Sequence, residues 1–226
     1  MQQVIFEDLG LIDYKKAWDY QEELFEKVMQ QKMTASGDLH YLLFCEHPHV
    51  YTLGKSGEGS NLLISDETLK NINATYCRTN RGGDITYHGP GQIVVYPIFN
   101  LEAFGITLKE YVHKLEGIII LFLESYGIKA TRLEGATGVW LDVGIKGFER
   151  KICAIGVRAS RFVTMHGLAF NINTDLNYFS YINPCGFIDK GVTSLQKEQG
   201  KQINMVSVKA ELEKIFASEF GLSYKK

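Results

Sequence analysis

No run of apolar residues in this chain approaches the roughly 20 needed to cross a bilayer as a helix. The longest candidate, Gly117 to Leu123, is cut by Glu124 and sits inside an amphipathic pattern, so no membrane association is expected. The opening residues, MQQVIFEDLG, lack a basic stretch followed by an apolar one, and no secretory signal is expected either. Cysteine is scarce. Cys45, Cys77, Cys153 and Cys185 form no CxxC pair and no dense framework, which excludes a disulfide scaffold and points to free thiols in a reducing cytoplasm. The net charge of −2 argues against a nucleic-acid partner. Repeats, low-complexity tracts and linkers are absent.

What is present suits a folded domain. The 226 residues are 45% hydrophobic and 12% aromatic, enough for a sizeable core in a single domain spanning 1–226. Helical periodicity is expected over Tyr14 to Lys32, with Asp13 as N-cap, and over a short segment opened by Ser65. A third helix starts at Thr107, where Thr107 and Glu110 form a capping box, and stops at Gly127. Its buried stripe is Leu108, Tyr111, Val112, Leu115, Ile118, Ile119, Phe122, Leu123 and Tyr126. A last helix covers about Val206 to Phe220. Strand patterns fall at Leu39 to Glu46, Val50 to Leu53, Thr75 to Thr79, Gln92 to Phe99, Lys129 to Arg132, Gly138 to Asp142, Lys151 to Arg158 and His166 to Asn173. Grouped strands between long helices indicate an α/β (α+β) fold, a mixed β-sheet flanked by helices.

The densest local signal is RGGDITYHGPGQ, Arg81 to Gln92. Gly82-Gly83 permits close backbone approach or positive φ, and Gly89-Pro90-Gly91 fits a type II turn. Between them, alternation places Asp84, Thr86 and His88 on one face and Ile85 and Tyr87 on the other. Such a strand and turn either line a site or form an ordinary hairpin. In HGLAFNIN, Gly167, Ala169, Asn171 and Asn173 share one face, opposite His166, Leu168, Phe170 and Ile172. The small residues make a slot for a thin chain or a seat for another backbone. From Lys129 to Arg161, seven basic and three acidic residues give a local +4. This is either a solvated strand face or a landing place for an acidic protein.

Cys185, in INPCGF, is the thiol with the setting of a nucleophile, fixed between proline and glycine in a loop. The other three lie in apolar strand-like contexts, where cysteine is usually a small buried hydrophobe. Lys151 heads KICAIGVR on a face with Cys153, Ile155 and Val157. There it is either a base whose pKa burial has lowered or, as the residues alone favour, a strand-end lysine reaching water. His47 and His49 lack a third and fourth metal-ligand pattern, so no metal site is expected.

Together these motifs resemble the lipoyl(octanoyl) transferases, which share a fold with biotin and lipoate protein ligases. HPHVYTLGKSG, RGGDITYHGPGQ, GVW at Gly138 to Trp140, KICAIGVR, HGLAFNIN and NPCG follow in that family's order. The resemblance implies that Cys185 takes an octanoyl group from octanoyl-acyl carrier protein as an acyl-thioester. The group then passes to a lysine of a lipoyl domain, in 2-oxoacid dehydrogenase complexes or the glycine cleavage H protein. It further implies that Lys151 activates the cysteine and moves the proton, and that no metal or other cofactor is used. Arg81, Gly82, Gly83, Asp84, Ile85, Thr86, Tyr87, His88, Ala154, Ile155, Gly156, Gly167, Leu168 and Ala169 are then expected to line the substrate site. Three alternatives stand beside it: a lipoyl or octanoyl amidotransferase, an ATP-dependent lipoate ligase, and a non-catalytic acyl-binding module on the same scaffold.

Overall fold

The computed structural model describes residues 1–183 and 190–225. In chain order they form β1 (Gln2–Leu11), α1 (Tyr14–Thr34), β2 (His40–Glu46), β3 (Val50–Leu53), α2 (Asp66–Asn71), β4 (Thr75–Arg78), β5 (Ile85–His88), β6 (Gln92–Ile98) and α3 (Leu108–Ser125). Then come β7 (Ala130–Leu133), β8 (Ala136–Leu141), β9 (Arg150–Ser160), β10 (Val163–Asn171), β11 (Gly191–Val192), α4 (Leu195–Gln199), α5 (Met205–Phe220) and β12 (Leu222–Tyr224). Short 3₁₀ turns cover Gly59–Asn61 and Leu176–Tyr181.

The helix starts follow the sequence chemistry. The side chain of Asp13 accepts from the Lys16 amide, Ser65 caps α2, and Thr107 and Glu110 cap each other's backbone at α3. Each cap satisfies amides that the first turn would otherwise leave open, worth about 1 kcal/mol apiece. One correction concerns Leu108. Placed in the buried stripe by periodicity, it is 40% exposed, because the first residue of α3 precedes the turn that meets the sheet.

The large sheet runs β12-β1-β2-β6-β10-β9-β8-β7, with β11 added beside β9. β1 pairs parallel with β12 and β2, and β11 parallel with β9. The pairs β2–β6, β6–β10, β10–β9, β9–β8 and β8–β7 are antiparallel. The sheet is therefore mixed, as the strand grouping predicts. α3 and α5 cover one face, where Phe122, Phe216 and Phe220 meet Leu42, Phe44, Val95, Leu168 and Phe170. α1 covers part of the other, where Ala17, Leu24 and Val28 meet Leu43, Val94, Tyr96 and Met165. Covering both faces explains why β2, β6 and β10 read as nearly unbroken apolar runs.

A second sheet, β4-β3-β5, holds its own aromatic cluster of Tyr51, Tyr87, Tyr178 and Phe179. The link from β5 to β6 carries the chain between the sheets through a tight turn. Gly91 has φ +79°, and the Gln92 amide donates to Gly89 O at 3.2 Å, the type II geometry expected of GPG.

Candidate active site

Between the sheets lies a cavity of about 460 Å³. Three segments from distant parts of the sequence meet there: the Arg81–His88 stretch, the β9 residues Lys151 and Ala154–Val157, and Gly167–Ala169 of β10. Antiparallel register sets Gly167 opposite Gly156 and Ala169 opposite Ala154, so small residues face each other across the two strands. A Cβ on Gly156 would come within 2.8 Å of Gly82 O, and the Gly82 amide donates to Val157 O at 2.9 Å. The glycines thus let the 81–83 loop lie directly against β9. Ile85, Val94, Ile155, Leu168 and Ala169 give the walls an apolar character.

Of the residues expected at a substrate site, Arg81 to Thr86, His88, Ala154 to Gly156 and Gly167 to Ala169 line this cavity, as does Lys151. Tyr87 does not. Alternation turns it into the smaller sheet's aromatic cluster, stacked on Tyr178 at 4.9 Å, with its hydroxyl 2.7 Å from His49 Nδ1. Cys185 lies outside the described residues. The nearest described positions on either side of it, Asn183 and Lys190, are both anchored. The Asn183 amide donates to Asn61 O at 2.9 Å, and Lys190 pairs with Glu149.

Lys151, near the start of β9, is half-buried and lines the cavity. Its Nζ donates to Thr137 O at 3.2 Å and sits 4.7 Å from the Trp140 ring centre, a cation–π contact of about 0.5–2 kcal/mol. A register shift in β8 makes room. Gly138 adopts φ +126°, and a Cβ there would strike Cys153 O at 2.5 Å and press on Lys151 Cε at 3.4 Å. Buried Glu116 holds this kink, accepting from the Gly138 amide at 3.0 Å and from Arg132. GVW is thus the seat of the lysine.

The far end of the cavity is polar and locked. Arg81 donates from Nε and Nη2 to Thr52 Oγ1 and from Nη2 to Thr52 O at 2.6 Å. Gln92 Nε2 donates to Tyr87 O and Asn171 Oδ1, so its Oε1 accepts from His88 Nδ1–H at 2.8 Å. The remaining lone pair on His88 Nε2 then receives the Thr52 hydroxyl at 3.2 Å. His88 is consequently neutral: complete burial, with His47 and the Arg81 guanidinium close by, holds its pKa well below the usual value. His166 departs from the alternation. With φ +57° its ring turns toward α1, 6.0 Å from Trp18, instead of joining Leu168 and Phe170. Its amide donates to Gln21 Oε1 and its Nε2 to Asn80 Oδ1.

Burial pushes His40 and His47 down to about 4 and His166 to about 3. Groups with depressed histidine pKa values bind fewer protons folded than unfolded. Stability is therefore full above about pH 6.5, the ordinary histidine value, and falls as pH drops toward 4. Urea midpoints measured across that window are expected to decline steadily with acidification. A flat profile would mean that these rings become charged without cost.

The remaining thiols fit inert roles. Burial raises the pKa of Cys45, Cys77 and Cys153. Cys77, expected to be buried, is half-exposed because β4 is an edge strand of the small sheet. Much of the +4 segment is engaged rather than free: Arg132 pairs with Glu116, Arg150 with Asp142 and Glu198, and Arg158 with Glu22. His47 and His49 serve hydrogen bonds to Ile12 O, Tyr96 and Tyr87. Among the described residues, no three His, Cys, Asp or Glu side chains gather as a metal site. Nor is any helix there long and apolar enough to cross a membrane. Asn171, placed on the slot face of HGLAFNIN, lines the cavity, as do Gln92, Tyr14 and Tyr96, which were not among the expected substrate-site residues. Gln92 closes the RGGDITYHGPGQ motif and offered a signal; Tyr14, in a helical stripe, offered none.

Residues 13–217 match the lipoyl protein ligase A/B catalytic domain. The octanoyltransferase of Bacteroides fragilis is 60% identical over 205 residues, covering 91% of this chain and 92% of that protein. This chain belongs to that family. Within it, the octanoyltransferase of Parabacteroides distasonis is 55% identical over 221 residues, 98% of this chain and all of the relative. Solved structures of the same fold include a bipartite lipoate protein ligase from Thermoplasma acidophilum. Its TM-score is 0.72 at 15% identity, over all of this chain and 85% of that one. A lipoate-protein ligase A bound with ATP gives a TM-score of 0.69 at 14% identity, over 100% and 87% of the two chains. The fold is therefore that of the lipoate ligases, while the sequence sides with the octanoyltransferases of the family.

Proposed function

We propose that this chain is an octanoyltransferase that moves an octanoyl group from octanoyl-acyl carrier protein to a lysine of a lipoyl domain through Cys185. The observation that carries the reading is the narrow, small-residue cavity with Lys151 at one end, in a chain 60% identical to an octanoyltransferase. In the first step the Cys185 thiolate attacks the thioester carbonyl carbon. The tetrahedral intermediate collapses, the carbon–sulfur bond to the carrier breaks, and the carrier thiol leaves with the proton that Lys151 held. In the second, the acceptor lysine amine attacks the acyl-cysteine, Lys151 takes its proton, and the cysteine departs as thiolate. Backbone amides at the cavity wall serve as oxyanion donors. Thioester exchange is nearly isoenergetic, so the stable amide drives the sequence forward.

Mixed with octanoyl-acyl carrier protein alone, the intact protein is expected to gain the mass of one octanoyl group at Cys185. Addition of a lipoyl domain should discharge it. An adduct at no cysteine, or transfer that runs only with ATP and free octanoate, would overturn this reading in favour of ligase chemistry.

A further inference from the structure

The cavity has an open end and a closed one. Beside Lys151, Gly135, Thr137 and Gly191 are exposed, and the cavity opens there. At the other end Tyr14, Tyr96 and His166 are almost wholly buried. An acyl chain whose carbonyl is served at the Lys151 end must point its tail inward, toward these three rings. Arg81, His88 and Gln92 nearby already spend their hydrogen bonds on protein groups, so a hydrocarbon tail takes nothing from them.

The sheet shows where the tail must stop. Val94, Ala169 and Ala154 form one row of short side chains across β6, β10 and β9, and Gly167 faces Gly156 in the next row. The row after that pairs Met165 with Arg158, and the cavity does not reach it. Met165 is fully buried in the cluster beneath α1, and Arg158 donates to its sulfur at 3.1 Å and to Glu22 of α1 at 3.0 Å. Between the glycine row and this block stands the ring of His166.

His166 reaches the cavity only through its backbone. Alternation assigns position 166 to the face of Leu168 and Phe170, under α3. The left-handed φ of +57° swings the ring to the α1 side instead, 6.0 Å from Trp18 and 6.5 Å from Tyr96. A residue with a Cβ adopts that conformation at a cost. Gln21 Oε1, accepting from the His166 amide at 2.9 Å, and Asn80 Oδ1, accepting from Nε2 at 2.6 Å, hold it there. With its proton on Nε2, the ring keeps a lone pair on Nδ1 that is buried and has no hydrogen-bond partner among the described residues. Burial, and then the guanidiniums of Arg81 and Arg158, keep the ring uncharged. Packing alone does not select a strained backbone and an unmatched lone pair in one residue; a flat neutral ring across the end of an apolar slot accounts for both. We propose that His166 is the end stop of the acyl slot, the residue that sets how long a chain is accepted. This rests on the octanoyl-transfer reading given above.

Two substitutions remove the ring and respect the backbone. His166→Gly suits a left-handed position and clears the whole side chain; His166→Asn tolerates the same φ and clears part of it. Transfer is measured from acyl carrier protein loaded with octanoyl, decanoyl or dodecanoyl groups. The kcat/KM for dodecanoyl relative to octanoyl is expected to rise at least about tenfold in the Gly variant and by less in the Asn variant, since one methylene fitted or refused by an apolar pocket changes selectivity by about 10- to 200-fold. Calorimetric binding of free octanoic, decanoic and dodecanoic acids should move in the same sense. Variants that melt as folded proteins yet keep the parent's chain-length profile, or lose all three chains alike, would overturn the end stop. Should His166→Gly fail to fold, His166→Asn decides alone. The acid titrations separate this inference from the reading beneath it. If the parent transfers none of the three groups, the transferase reading fails, and the shift in acid binding still decides the end stop. A parent that neither transfers the groups nor binds the acids has no acyl slot, and the end stop falls with it.

Discussion

Cys185→Ala is expected to abolish acyl-enzyme formation and to lower octanoyl transfer by at least about 1,000-fold while leaving the thermal melt in place. Removing the nucleophile of a covalent mechanism leaves only binding and oxyanion stabilisation, which supply a small residue of the rate. No other thiol can take over. Cys45 and Cys153 are fully buried in the large sheet, and burial raises both pKa values, so neither supplies thiolate near neutral pH. Cys77 is half-exposed but belongs to β4, is also raised by burial, and does not line the cavity. The check is intact-mass spectrometry of the Ala variant after incubation with octanoyl-acyl carrier protein, alongside a transfer assay. Persistence of an octanoyl adduct would move the nucleophile elsewhere. Retained turnover without any adduct would replace the two-step scheme by direct transfer between carrier and acceptor.

Much of the site was legible because its residues sit in short, ordered motifs whose backbone demands are local. The GPG turn and the Thr107–Glu110 capping box depend on neighbours a few positions away, and these read correctly. The fold class followed from grouped strands, and the helix boundaries from caps. What escaped depended on distant partners. β1, with Glu7, Asp8 and Gly10 interrupting its apolar residues, has no clean two-residue period; it is a strand because β2 and β12 pair with it. Tyr87 was read by its place in the motif, but its ring packs into the aromatic cluster with Tyr51, Tyr178 and Phe179. His166 broke the alternation because Gln21 and Asn80, 145 and 86 residues away, hold it in a left-handed conformation. For Lys151, the local pattern favoured a snorkelling side chain. In the structure its ammonium meets Thr137 O and the Trp140 ring on β8, contacts that no periodicity within β9 announces.

Lys151→Ala is expected to slow both half-reactions, by about 100- to 10,000-fold, the range for loss of a positioned acid–base group. In the proposed mechanism the Lys151 ammonium favours the Cys185 thiolate, so its removal is expected to bring the thiol toward the ordinary value of about 8.5. Activity of the Ala variant should therefore rise with pH across the neutral and mildly alkaline range, where the parent's is expected to be flat. Lys151→Arg separates the two roles. A guanidinium keeps the charge but stays protonated at every accessible pH, so it supports thiolate formation and cannot receive the acceptor lysine's proton. Its pH profile for acylation should stay close to the parent's, while discharge to the lipoyl domain remains slow and octanoyl-enzyme accumulates. Space limits the substitution, since Lys151 Nζ is already seated on Thr137 O and the Trp140 ring, with Gly138 against its stem. Circular dichroism and a melt must accompany the kinetics. Rapid-quench measurement of acylation and discharge as separate steps gives the decisive readout. Equal slowing of both steps by Arg and Ala would reduce Lys151 to a proton carrier without a charge role; no slowing of discharge by either would remove it from proton transfer altogether.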